Sequence, residues 1–293
     1  MRITNNIITR QSLEGIQRNL AAMDVAQRRV TSGLKVEKAS DDPAASVSIL
    51  GTDRRLSALD QYGRNIASAG SRLASEEMVL DGLTNLLERA RELAVSQATG
   101  TASGQTRAIA KVEVDQLLDA AIGLGNTQHG GGYLFGGKFA DAPPLASDGT
   151  TSATRPPAGA PAVEIDTGRQ VTVHHDAIQV FVDTDVIAAL QELSTALGAD
   201  DTDAIAASSS RLASAHSNVQ NLLGETGANV NQLEVAKANV ESLGVTLRTF
   251  RSDLSEVEME EAISTLVARQ TAFQAALAAT SRMISLTLTD YLR

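Results

Sequence analysis

IAASSSRLASAHSNVQNLLGETGANVNQLEVAKANVESLGVTLRTFRSDLSEV (Ile205–Val257) decides the fold. Stepping alternately by three and four residues meets Ile205, Ser208, Leu212, Ala215, Val219, Leu222, Thr226, Asn229, Leu233, Ala236, Val240, Leu243, Leu247, Phe250, Leu254 and Val257. Thirteen of these 16 positions are apolar. An apolar period of 3.5 residues held this long marks a helix that packs along another helix. At roughly 1.5 Å per residue such a rod is about 80 Å long. So narrow a stripe cannot bury itself, and it requires partners of matching length. Gly224, Gly227 and Gly244 each cost about 1 kcal/mol inside the helix and mark a possible kink.

The partner lies upstream. The stripe Leu59, Tyr62, Ile66, Ala69, Leu73, Glu76, Leu80, Leu83, Leu87, Ala90, Ala94 and Gln97 is apolar at ten of 12 positions. Asp42 is placed to cap free N–H groups and Pro43 suits a first helical position. A helix from Pro43 to about Ala98 follows, of a length that favours antiparallel pairing with the return helix. A turn at residues 99–104 leads to a third helix around Gln105–Gln128, and a shorter one is expected over Asp185–Leu197.

Prolines divide the chain. The six are Pro43, Pro143, Pro144, Pro156, Pro157 and Pro161, so residues 44–142 and 162–293 contain none. Proline disrupts helix interiors, and the pattern reads as two helical arms around a non-helical centre. HGGGYLFGGKF (His129–Phe139) reads as a tight β-turn or hairpin tip. Strands are expected at Val163–Asp166, Arg169–His174 and Ile178–Val182, with a turn at Asp166-Thr167-Gly168. The fold class is therefore mainly α: a long antiparallel, coiled-coil-like bundle of N- and C-terminal arms with a small β-rich central insert. The divisions are 1–42, an assembly helix and loop; 43–138, the outgoing arm; 139–184, the insert; 185–255, the return arm; and 256–293, a C-terminal assembly helix paired with 1–42.

The ends carry their own signal. Leu13, Ile16, Leu20, Met23 and Val30 predict a helix over about 13–33, and residues 1–12 show no clear period. The register slips after Val257 and resumes through Ile263, Leu266, Phe273, Leu277, Ile284 and Tyr291, with Leu288 and Leu292 adding apolar surface. Between Thr271 and Thr289 the sole charge is Arg282. A helix apolar around most of its circumference expects contact on several sides. These 13 residues form the expected assembly interface, with both tails mobile in the monomer and ordered in an assembly.

Composition excludes several chemistries. Net charge is −10 and no Lys/Arg run grips phosphates, so nucleic-acid binding is disfavoured. Cysteine is absent, which removes thiolate sites and disulfides. No apolar run of about 18 residues is present, and the N-terminus lacks a signal-peptide core. Gly132-x-x-x-x-Gly137-Lys138 approaches a phosphate loop, but Phe139 stands where Ser or Thr holds magnesium. The histidines are His129, His174, His175 and His216, too few and too scattered for a metal site. No G-x-S-x-G elbow occurs. Neither an enzyme nor a cofactor is expected. Arg282 and the Ser/Thr content argue against membrane insertion of the C-terminal tail.

RRVTSGLKVEKASDDPAA (Arg28–Ala45) resembles the flagellin family's "SSGLRINSAKDDAA" region, RELAVSQATGTAS (Arg91–Ser103) its "RELAVQAxNGT" segment, and GETGANVNQLE (Gly224–Glu234) its return-helix motif. The likeness spans roughly 1–138 and 186–293. Asp41-Asp42-Pro43, GGYLFGG (Gly131–Gly137), the SRMISLTLTDYLR end and the small insert shift it from filament subunits towards the branch that joins hook to filament. The resemblance implies a secreted structural subunit of the bacterial flagellum, exported by the type III route for motility and self-assembling into a ring. It implies as partners further copies of the chain, the other hook–filament junction protein, flagellin and an export chaperone. A short flagellin is the alternative.

Overall fold

The computed structural model describes residues 2–153, 155–159, 162–172 and 175–291. Six helices dominate: α1 (Arg2–Ser32), α2 (Pro43–Gln97), α3 (Gly104–Gly125), α4 (Val186–Gly198), α5 (Thr202–Ser255) and α6 (Met259–Tyr291). Two short hairpins accompany them, β1 (Gln128–His129) with β2 (Gly132–Tyr133) and β3 (Ala162–Asp166) with β4 (Arg169–Thr172).

Local chemistry sets the ends. Gly33 stops α1 at φ +70°, a conformation costly for residues with a Cβ. Asp42 Oδ1 accepts from the N–H groups of Ala44 and Ala45, both at 3.0 Å, and Pro43 follows as the first helical residue. Ser103 caps α3 through the N–H of Thr106 at 3.2 Å. Asp201 Oδ1 accepts from Asp203 and Ala204 at the start of α5. Helix α5 runs unbroken through Gly224, Gly227 and Gly244.

Two expectations are corrected. Ile178–Val182 is a π-helical turn, not a strand. Asp176 and Gln179 exchange bonds, Gln179 N to Asp176 Oδ1 and Asp176 N to Gln179 Oε1, both 3.0 Å, a reciprocal cap that winds the chain. Helix α1 begins at Arg2 rather than near residue 13; it packs along α6, and a helix gains most of its stability from such packing rather than from its own periodicity. Strand β4 closes at Thr172; Val173 and His174, also expected in it, lie outside the described residues.

The chain divides into two compact units, Leu59–Ser242 and Met1–Ala58 with Leu243–Arg293. In the first, α2 and α5 are antiparallel: Glu76 meets Thr226, and Glu88 lies by His216. Leu80, Leu83 and Leu87 of α2 share a core with Val114 of α3, Leu190 and Leu193 of α4, and Leu212 and Val219 of α5. Phe135 and Phe181 close it edge to face, with centroids 5.6 Å apart and planes at 82°. The β1–β2 turn places Gly130 and Gly131 at φ +62° and +88°, as a two-residue hairpin loop requires. Ile165 and Val171 of the β3–β4 hairpin cover a second cluster formed by Ile66, Ala69, Leu73, Leu233 and Ala236.

In the other unit α1 packs against α6. Among its described side chains, the fully buried apolar ones are Ala26 and Ala262. Among those described side chains it has almost no interior of its own.

Candidate assembly interface

The interface starts at a joint. The N–H of Lys35 donates to the carbonyl of Ser255 at 2.8 Å, and that of Val257 to the carbonyl of Gly33 at 2.9 Å. Leu34 and Glu256 form a small antiparallel bridge. Both crossings between long helix and terminal helix are thus stitched to each other. The loop between α1 and α2 is folded on Asp41, whose Oδ2 accepts from the N–H groups of Lys38 at 2.9 Å and Glu37 at 3.2 Å. The bond from Lys38, then that from Glu37, holds the Asp41 carboxyl below the ordinary carboxylate range. Arg251 Nε meets Asp53 Oδ1 at 2.7 Å in the same unit.

Beyond the joint, the terminal pair leaves much of its apolar surface bare. Leu13 is 55% exposed, Leu20 47%, Ile263 49% and Leu277 44%. Ile16, Met23, Val30, Leu266 and Phe273 are half-buried. Ile284, Leu288 and Tyr291 fall within α6, their side chains outside the description, and Leu292 lies outside the described residues. Ile7, Val25 and Val267 also lie exposed, off the stripe that the sequence traced. They hold no position in the heptad stripe, and nothing in the local sequence sets them apart. Covering a half-exposed side chain of this size contributes about 1 kcal/mol, so the set amounts to several kcal/mol per copy.

Charge is distributed in the same sense. The unit containing the termini has 14 Lys/Arg and 12 Asp/Glu, whereas Leu59–Ser242 has 11 and 23. Among the described residues, the nearly neutral unit bears 13 of the 20 exposed large apolar side chains, and the acidic one bears the closed core.

The other polar features are structural. Gly132 to Lys138 leads into a turn rather than a helix, so no ring of helix N–H groups faces a phosphate. His129 Nδ1 lies 2.9 Å from the Ser75 hydroxyl. Among the described residues no group of His, Asp and Glu is arranged to hold a metal, and no helix is long and apolar enough to cross a membrane.

Comparison with known proteins agrees with this architecture. The bacterial flagellin N-terminal helical region matches residues 3–140 and the C-terminal helical region residues 209–292. The chain belongs to the bacterial flagellin family. Flagellar hook-associated protein 3 of Escherichia coli (strain K12) is 26% identical over 318 residues, with 98% of each chain covered. A flagellin of Listeria monocytogenes is 26% identical over 118 residues, which is 40% of this chain and 41% of the flagellin. The crystal structure of Bacillus cereus FlgL superposes with a TM-score of 0.60 at 23% identity, covering 69% of this chain and 99% of that one.

Proposed function

We propose that this chain is the subunit that joins hook to filament in a bacterial flagellum. The observation that carries this reading is the reach of the alignment: it runs through 98% of both this chain and the Escherichia coli hook-associated protein, insert included, whereas the Listeria flagellin aligns over 41% of its length. The role is mechanical. Residues 1–42 and 256–293 form the assembly segment, 43–138 and 185–255 the helical arms, and 139–184 the central insert. The tails become ordered when neighbouring copies cover Leu13, Leu20, Ile263 and Leu277, whose exposure supports this reading. The other junction protein lies on one side of the ring and flagellin on the other, and the chain reaches its place outside the cell through the flagellar export channel with a chaperone.

Deletion of the gene followed by electron microscopy tests the role. Intact filaments shed into the medium and hooks left bare are expected. Loss of filament material altogether would make the chain a short flagellin instead. In a complementation series, Leu277→Asp should leave the helical content of the purified monomer unchanged and abolish incorporation into flagella.

A further inference from the structure

Glu76 of α2 is completely buried. Its Oε1 accepts the Thr226 hydroxyl of α5 at 3.2 Å and the backbone N–H of His175 at 3.3 Å, and it lies 2.5 Å from His175 Nδ1. The other ring nitrogen, Nε2, faces Glu225 Oε2 at 3.2 Å. Glu76 Oε2 has no hydrogen-bond partner. A neutral imidazole has one N–H and presents a lone pair at its second nitrogen. Between two carboxylate oxygens, the neutral ring sets one lone pair against another, whereas the imidazolium satisfies both contacts. A buried carboxylate demands the same, since without a cation its desolvation is uncompensated.

Arg72, one turn earlier on α2, directs Nη2 to the Leu134 carbonyl at 2.7 Å and its charge also attracts Glu76, so His175 is the cation in direct contact with that carboxylate but not the sole one near it. The other charged groups around the ring have their own partners. Asp176 accepts from the N–H groups of Gly159 and Gln179, both at 3.0 Å. His129 is held by Ser75.

We propose that His175, in its protonated form, is a latch that fastens the stretch His175–Ala177, the lead into the π-helical turn, to the α2–α5 pair, and that raising the pH releases it. The neighbouring backbone explains why the ring matters: the N–H of Ala177 reaches the Phe135 carbonyl at 3.0 Å, so the latched segment enters the core two residues later. The hydrogen bond to Glu76 raises the His175 pKa most, burial opposes it, and the charges of Glu76 and Glu225 add to the rise. The folded value thus lies above that of a free imidazole, about 6.5. The latch is complete below that pH and is lost as pH climbs through the folded value.

The test uses the full chain. Nuclear magnetic resonance titration should find for His175 a midpoint above the free value. Hydrogen exchange over 162–182, corrected for its intrinsic pH dependence, should accelerate at least about tenfold between roughly pH 6 and 9. His175→Gln should remove that acceleration. Glu225→Gln, altering an exposed side chain, should keep the fold and lower the midpoint. A His175 midpoint at or below the free value, or the same acceleration in His175→Gln, overturns the latch. Should His175→Gln not fold, an unchanged midpoint in Glu225→Gln does so instead.

Discussion

Arg107 Nη1 meets Asp200 Oδ1 at 2.5 Å, joining the first turn of α3 to the residue that precedes α5 by two positions. The Arg107 side chain is 6% exposed and also donates to the carbonyls of Gln97 at 3.1 Å and Thr99 at 3.0 Å. One guanidinium therefore closes two helix connections. Arg107→Ala leaves those acceptors without their donor, and should cost about 2 kcal/mol, read as a lower urea midpoint of the main unit. Arg107→Lys retains the charge but not the fork, and should recover less than half.

Leu83 and Leu13 offer a paired comparison. Leu83 is fully buried among four helices, whereas Leu13 stands largely in solvent. Leu83→Ala should destabilise the monomer by about 3 kcal/mol. Leu13→Ala should lie within about 0.5 kcal/mol of the parent in the monomer and raise the concentration needed for self-association. A light-scattering titration beside a denaturation curve separates the two effects.

Gly149 sits at φ +78°, and a Cβ there would lie 2.5 Å from Ile187 Cγ2 of α4. Gly149→Ala brings backbone strain and overpacking together, and should cost about 2 kcal/mol. Calorimetry of the full chain would register this as a lower midpoint for the unit that holds the insert.

Asp41 gives a pH dependence at the joint. Its folded pKa is depressed by the N–H groups of Lys38 and Glu37, so the loop's stabilisation is present above the unfolded carboxylate value, about 3.9, and is lost as pH falls through the folded value. Amide exchange over residues 34–42 should rise at low pH relative to the intrinsic rate, and Asp41→Asn should show elevated exchange already at neutral pH.

The long helices, the Asp42-Pro43 cap of α2 and the Asp166-Thr167-Gly168 turn were legible because each is set by neighbours within a few residues. Three features were not. The first turns of α1, RITNNIIT, carry no usable period, and the helix as a whole packs on α6, some 250 residues away. IQVFV alternates like a strand, and the deciding signal was the Asp176-x-x-Gln179 box just before it. Glu76 broke an apolar stripe without visible cause; its partner His175 lies 99 residues downstream. In the interface, the greasy ends were plain to read, but the face left bare followed from how α1 and α6 turn towards each other, which placed Ile7, Val25 and Val267 outside any repeat.

Among the described side chains, the terminal pair's buried apolar interior is little more than Ala26 and Ala262. In a ring of such pairs, a first arrival finds no wall to lean on, a middle one finds a single wall, and the last finds two. In the ring proposed above, closure would then be far more favourable than initiation, so half-built rings would be scarce and a preformed platform, rather than concentration alone, would decide where rings begin.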